Sequence, residues 1–139
     1  MISVLYSVLG FVVALGILVT VHEFGHFWVA RRMGVRVLRF SVGFGRPLWT
    51  RRGRDGTEFV LAALPLGGYV KMLDENEGEV AEHEQHLAFN RKPLWRRSLV
   101  VLAGPMANFV FAVLAYWAVF ATGMDGIVPV VGSVTQSSI

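Results

Sequence analysis

Two long apolar stretches enclose a polar middle. From Ile2 to Ala30 the chain runs through Val, Leu, Ile, Phe, Ala and Gly, with no Asp, Glu, Lys, Arg or His before His22. A second stretch runs from Ser98 to Gly123, and no charged residue falls between Arg97 and Asp125. Each exceeds the roughly 20 residues a helix needs to cross a bilayer core. The pattern predicts a mainly α membrane protein, with transmembrane helices over 1–30 and 98–123.

Between them the hydrophobic period shortens. Val35 to Val42 is rich in β-branched and apolar residues, Gly43-Phe44-Gly45 interrupts it, and Pro47-Leu48-Trp49-Thr50 resumes it. Arg51 to Gly56 reads as a turn, because Asp55-Gly56 is a strong hairpin signal. Thr57 to Leu64 is the returning strand, ended by Pro65, and Gly67-Gly68 precedes a last short strand from Tyr69 to Leu73. Three or four short strands over 31–73 predict a small membrane-associated β-sheet. Alone it would be too small to be stable, so the membrane or the spans must cover it. The acid-rich run from Asp74 to Glu84 predicts a solvated loop or frayed helix. Phe89 to Arg97 then forms a basic, aromatic lead-in, completing a segment 74–97. Val128 to Val134 reads as the start of another strand within 124–139, so the chain is expected to be the N-terminal piece of a longer protein.

Composition and charge place these segments relative to a membrane. Apolar residues make up 54% and charged residues 17%, well under the roughly 25% charged of a soluble domain. All thirteen Lys and Arg lie between Arg31 and Arg97, against eight acids, a net +5 for that segment. The positive-inside rule puts 31–97 in the cytoplasm and the N-terminus and C-terminal segment on the far side of the membrane. A nucleic-acid binder would carry its bases along a soluble face, so no nucleic-acid partner is expected. A cleaved signal peptide fits poorly, because the apolar run is too long and has no basic start. Zero cysteines exclude disulfide bracing.

The chemistry sits at the end of the first stretch. His22-Glu23-Phe24-Gly25-His26 is an H-E-x-x-H motif. Residues four apart share a helix face, so His22 and His26 can hold one zinc ion while Glu23 takes a proton from a water. Ionisable groups at membrane depth cost about 2.5–3.5 kcal/mol each on insertion scales, which makes three of them together a functional signal. At about 1.5 Å per residue from Arg31, His26 lies about 7 Å and His22 about 13 Å below the cytoplasmic interface. A catalytic zinc needs three protein ligands, and Asp125, at the opposite face, is out of reach. The third ligand is therefore missing from these residues.

Other candidates have two readings each. Gly43, Phe44 and Gly45 are either loop residues or a β-edge that pairs with an extended substrate. Gly104-Pro105 should loosen the second span, and Asn108, four residues on, shares with Gly104 the face where another backbone could come close. Asn108 is either a helix-packing amide or a donor to substrate backbone or oxyanion. His83 and His86 have ligand-like spacing but fall in the acidic run and read as solvated. Zinc polarising a scissile carbonyl, with Glu23 as the base, would hydrolyse peptide bonds. Against that reading as a zinc protease stand a haem-binding membrane protein, using His22 and His26 as axial ligands, and a non-catalytic membrane scaffold.

Four segments together resemble one family. Val21 to Phe27 with Ala30-Arg31-Arg32, Phe40 to Gly45, Leu64 to Met72, and Ala103 to Phe109 are similar, in order, to the site-2 intramembrane metalloproteases of the proteobacterial type. The resemblance implies a zinc endopeptidase of the bacterial inner membrane that cuts single-span proteins. Typical substrates are an anti-sigma factor, whose loss starts a sigma-E stress response, and remnant signal peptides. It implies that Gly43–Gly45 belong to a sheet beside the active site and that Asn108 handles substrate. It places the third ligand, an Asp in a Leu-Asp-Gly motif, on a later span, beyond periplasmic PDZ domains of which 124–139 would be the start.

Overall fold

The computed structural model describes residues 2–123. The expected PDZ-like start and Asp125 lie outside the described residues. In chain order come helix α1 (Ile2–Arg32), strand β1 (Val37–Arg52), strand β2 (Glu58–Met72), a short 3-10 helix (Glu82–Leu87) and helix α2 (Leu94–Thr122). Two long apolar helices thus flank an antiparallel hairpin, and the described part is mainly α.

Helix α1 ends two residues beyond the expected edge, and its stop is local chemistry. Gly34 takes φ +73°. Val35 N–H donates to Ala30 O at 2.9 Å and Gly34 N–H to Arg31 O at 3.1 Å, the paired bonds of a Schellman stop. Arg31 and Arg32 fall in the last turn, where cations suit the negative end of the helix dipole. Helix α2 starts at Leu94, four residues before the expected edge, directly after Pro93, whose extended backbone caps it. It continues without interruption through Pro105.

The hairpin corrects the expectation of separate short strands. Both strands run long, through Gly43-Phe44-Gly45 on β1 and through Pro65 on β2. Gly43 and Gly45 are accommodated at φ +89° and +84°, a conformation that costs glycine little. Pro65 lies between Leu64, which faces Phe44, and Gly68, which faces Val42. No register partner needs its missing N–H, so the strand passes through. The shift in register also folds the hairpin over on itself. Phe40 faces both Val70 and Phe59, and Thr50 faces Val60. Two continuous strands therefore supply four short paired segments, with Arg39–Val42 held on both sides. The turn falls at Asp55-Gly56, as the sequence indicates, with Gly56 at φ +84°.

The core sits where α1, the sheet and α2 meet. Phe27, Ala30, Val35, Val37 and Val100 are buried together. Phe27 packs edge-on against Phe40 at 5.4 Å and Phe59 at 5.7 Å. These contacts tie the last residue of the Val21–Phe27 segment to both strands. The remaining lengths of the helices are bare: Ile2, Tyr6, Phe11, Phe109, Trp117 and Phe120 are all exposed. An apolar belt of this extent marks contact with lipid or protein, and both helices are long and apolar enough to cross a membrane.

The acidic run is less free than its composition suggests. Glu75 accepts from Arg91 Nε at 2.8 Å and from Asn90 Nδ2 at 2.8 Å, and Glu84 pairs with Arg36. The run is thereby tied to the lead-in of α2 and to the start of the sheet. His83 and His86 are exposed on the 3-10 helix, away from the H-E-x-x-H residues.

Candidate metal centre

The two imidazoles of α1 converge. His22 and His26 meet edge to face, with ring centroids 4.8 Å apart and their Nε2 atoms 3.2 Å apart. Two nitrogens bound at about 2.0–2.1 Å to a tetrahedral zinc lie about 3.3–3.4 Å apart. The pair therefore fits such an ion without rearranging the helix. Among the described residues no group of three His, Cys, Asp or Glu gathers as a ligand set.

Helix α2 shapes the space for the rings. A Cβ at Gly104 would lie 2.7 Å from His22 Nε2 and closer still to His26 Nε2. One turn along, a Cβ at Gly25 of α1 would lie 2.5 Å from Ala103 O. The helices cross at these glycines, and only a bare backbone lets both rings fit between them. The face shared by Gly104 and Asn108 is thus the one where the other helix comes close, as their spacing indicates, while the helix runs unbroken through Gly104-Pro105 instead of loosening there.

Each ring is held from behind. His26 Nδ1 lies 2.7 Å from Val100 O, so the carbonyl accepts an Nδ1–H and leaves the Nε2 lone pair facing His22. Asn108 Nδ2 lies 3.4 Å from His22 Nδ1. No sequence signal points to the Val100 carbonyl, which becomes a partner only through the packing of α2 on α1.

Glu23 faces a cavity of about 530 Å³ whose wall also includes His26, Tyr69, Met72, Asp74 and Glu77. The cavity joins the motif to the acidic loop through polar groups. Gly68 brings the sheet close to it: a Cβ there would lie 3.0 Å from Glu23 Cγ and 2.7 Å from Ser41 O. Gly43, Phe44 and Gly45 line a separate recess of about 150 Å³. Phe44 stacks on Tyr69 at 6.4 Å, and Tyr69 walls both spaces. The glycine-flanked segment is thus one side chain removed from Glu23. Asn108 sits behind His22 and does not line the Glu23 cavity.

Residues 10–138 match the model of peptidase family M50. The chain belongs to peptidase family M50. M50 relatives align along all of it. It is 57% identical over 139 residues to the regulator of sigma-E protease RseP of Salmonella typhimurium and 58% identical to protease RseP of Yersinia pestis. It is 54% identical, over the same length, to a putative zinc metalloprotease of Vibrio cholerae. In each case the match covers 100% of this chain and 31% of the relative. The chain thus spans about a third of the length of these M50 proteins. Membership in M50, a zinc metalloprotease family, agrees with the paired imidazoles and with a carboxylate beside them on a cavity wall.

Proposed function

We propose that the chain carries the two-histidine part of the zinc site, and the general base, of a site-2 type intramembrane protease. The observation that carries this reading is the 3.2 Å approach of the His22 and His26 Nε2 atoms, on a helix long and apolar enough to cross a membrane. When bound, zinc supplies the Lewis acidity that polarises the scissile carbonyl and makes a water more acidic. His22 and His26 hold it. Glu23, on the cavity wall, accepts the proton from the attacking water and returns it to the leaving amine. The cavity keeps that water within the protein, since the hydrocarbon has none to offer.

Substrates, on this reading, are single-span membrane proteins of the anti-sigma factor type, with remnant signal peptides as a second class. An extended segment of substrate binds along the sheet. Gly43, Phe44 and Gly45 shape that surface through the Phe44–Tyr69 stack, with residues 31–97 on the cytoplasmic side of the bacterial inner membrane. A haem is disfavoured, because Nε2 atoms 3.2 Å apart on one helix face leave no room for a porphyrin between them.

The test is Glu23→Gln in the full-length protein, with cleavage of a single-span substrate and bound zinc both measured. Loss of cleavage with zinc retained is expected. Cleavage at the original rate would defeat the assignment of Glu23.

A further inference from the structure

Asn108 has an unresolved account of its hydrogen bonds. Its Nδ2 lies 3.4 Å from His22 Nδ1, while its Oδ1 is buried without a partner among the described residues. A buried acceptor left unpaired is destabilising. The neighbouring rings complete a chain of donors that explains the orientation seen. Val100 O accepts from His26 Nδ1–H, so His26 Nε2 carries a lone pair. Without a metal, the 3.2 Å between the two Nε2 atoms suits a proton on His22 Nε2 shared with that lone pair. His22 Nδ1 then accepts from the Asn108 amide. Every ring nitrogen is satisfied, and only Asn108 Oδ1 is not.

That arrangement holds His22 in the tautomer that cannot bind a metal through Nε2. A neutral imidazole carries one proton, so freeing Nε2 moves it to Nδ1, which becomes a donor. Nδ1–H facing the Asn108 NH₂ would set two donors against each other. A half-turn of the amide resolves both faults, because Oδ1 then accepts from Nδ1–H and is no longer orphaned.

We propose that Asn108 is a positioning residue for His22, whose amide turns over when His22 becomes a metal ligand and thereafter fixes the ligating tautomer. This rests on His22 being a zinc ligand. It gives Asn108 a task other than contact with substrate. The His26–Val100 contact needs no such change, so the two ligands are prepared differently: His26 stands ready, and His22 is switched.

The experiment measures zinc affinity of the purified full-length protein by competition with a chelator, for the parent, Asn108→Asp and Asn108→Leu. Asp supplies an acceptor in nearly the same shape and is expected to bind zinc at least as tightly as the parent. Leu supplies none and is expected to bind about 10–100-fold more weakly. Nitrogen-15 spectra of the His22 ring give a second readout, with the proton expected on Nε2 without zinc and on Nδ1 with it. Parent-like affinity in Asn108→Leu, or a His22 ring whose protonated nitrogen is unchanged by zinc, would overturn the proposal. Failure of the parent itself to bind zinc, or equal binding by His22→Ala, would instead remove the zinc-ligand reading beneath it.

Discussion

Gly104 of α2 lies directly beneath His22 of α1, so close that a Cβ at that position would come within 2.7 Å of His22 Nε2. The absence of a side chain on one helix is what lets the other present its paired imidazoles. Because the obstructing atoms at Gly104 belong to two rings at once, neither ring can yield without disturbing the other.

Gly104→Ala should therefore spread the two Nε2 atoms and weaken zinc binding about tenfold or more, with cleavage falling in parallel. Zinc content after dialysis against a weak chelator checks this. Parent-like zinc retention would show that the helices separate to accept the methyl group and that the cradle is not tight.

Gly68→Ala acts on the other side of the motif. The new Cβ would press on Glu23 Cγ at 3.0 Å and on Ser41 O at 2.7 Å, pushing the sheet away from the carboxylate. Cleavage should fall at least tenfold while zinc affinity stays within about twofold of the parent. Equal losses of zinc and activity would mean that Gly68 supports the whole helix rather than the position of Glu23.

The acidic loop gives a prediction in pH. Hydrogen bonds from Arg91 first and then Asn90 hold the Glu75 carboxyl below its ordinary 4.5. A carboxyl whose pKa is lowered by folding stabilises the fold above the unfolded value, and that contribution disappears as pH falls through the lowered one. The tie between the loop and the lead-in of α2 should thus hold at pH 7 and weaken as pH falls below the ordinary 4.5. Carbon-13 titration of Glu75 checks it, with Arg91→Gln expected to move the pKa back up towards 4.5. No movement in that variant would remove Arg91 as the cause.

Some of this architecture is plain in the sequence. The two helices follow from runs too apolar to be anything else, and the His22–His26 pairing follows from i, i+4 geometry. Asp55-Gly56 marks its own turn. The sheet is harder, because Gly43, Gly45 and Pro65 are breakers by propensity, yet the strands pass through all three at register shifts that only the folded hairpin reveals. Contacts across the chain are harder still. Val100 offers a backbone carbonyl, which no residue type announces, and Gly104 and Gly68 matter for what they leave vacant. The acidic run is loop and short 3-10 helix with no buried residue, as its composition indicates, but composition does not show that Arg36 and Arg91, far off in sequence, pair with Glu84 and Glu75.

His22 and His26 holding one zinc between them is a proposal that X-ray absorption at the zinc edge of the full-length protein can decide, with the parent compared against His22→Ala and His26→Ala. The parent is expected to hold about one zinc per chain, with two imidazole nitrogens at about 2.0–2.1 Å, and both variants to lose that signal. A zinc spectrum unchanged by either substitution would rule the pair out as ligands.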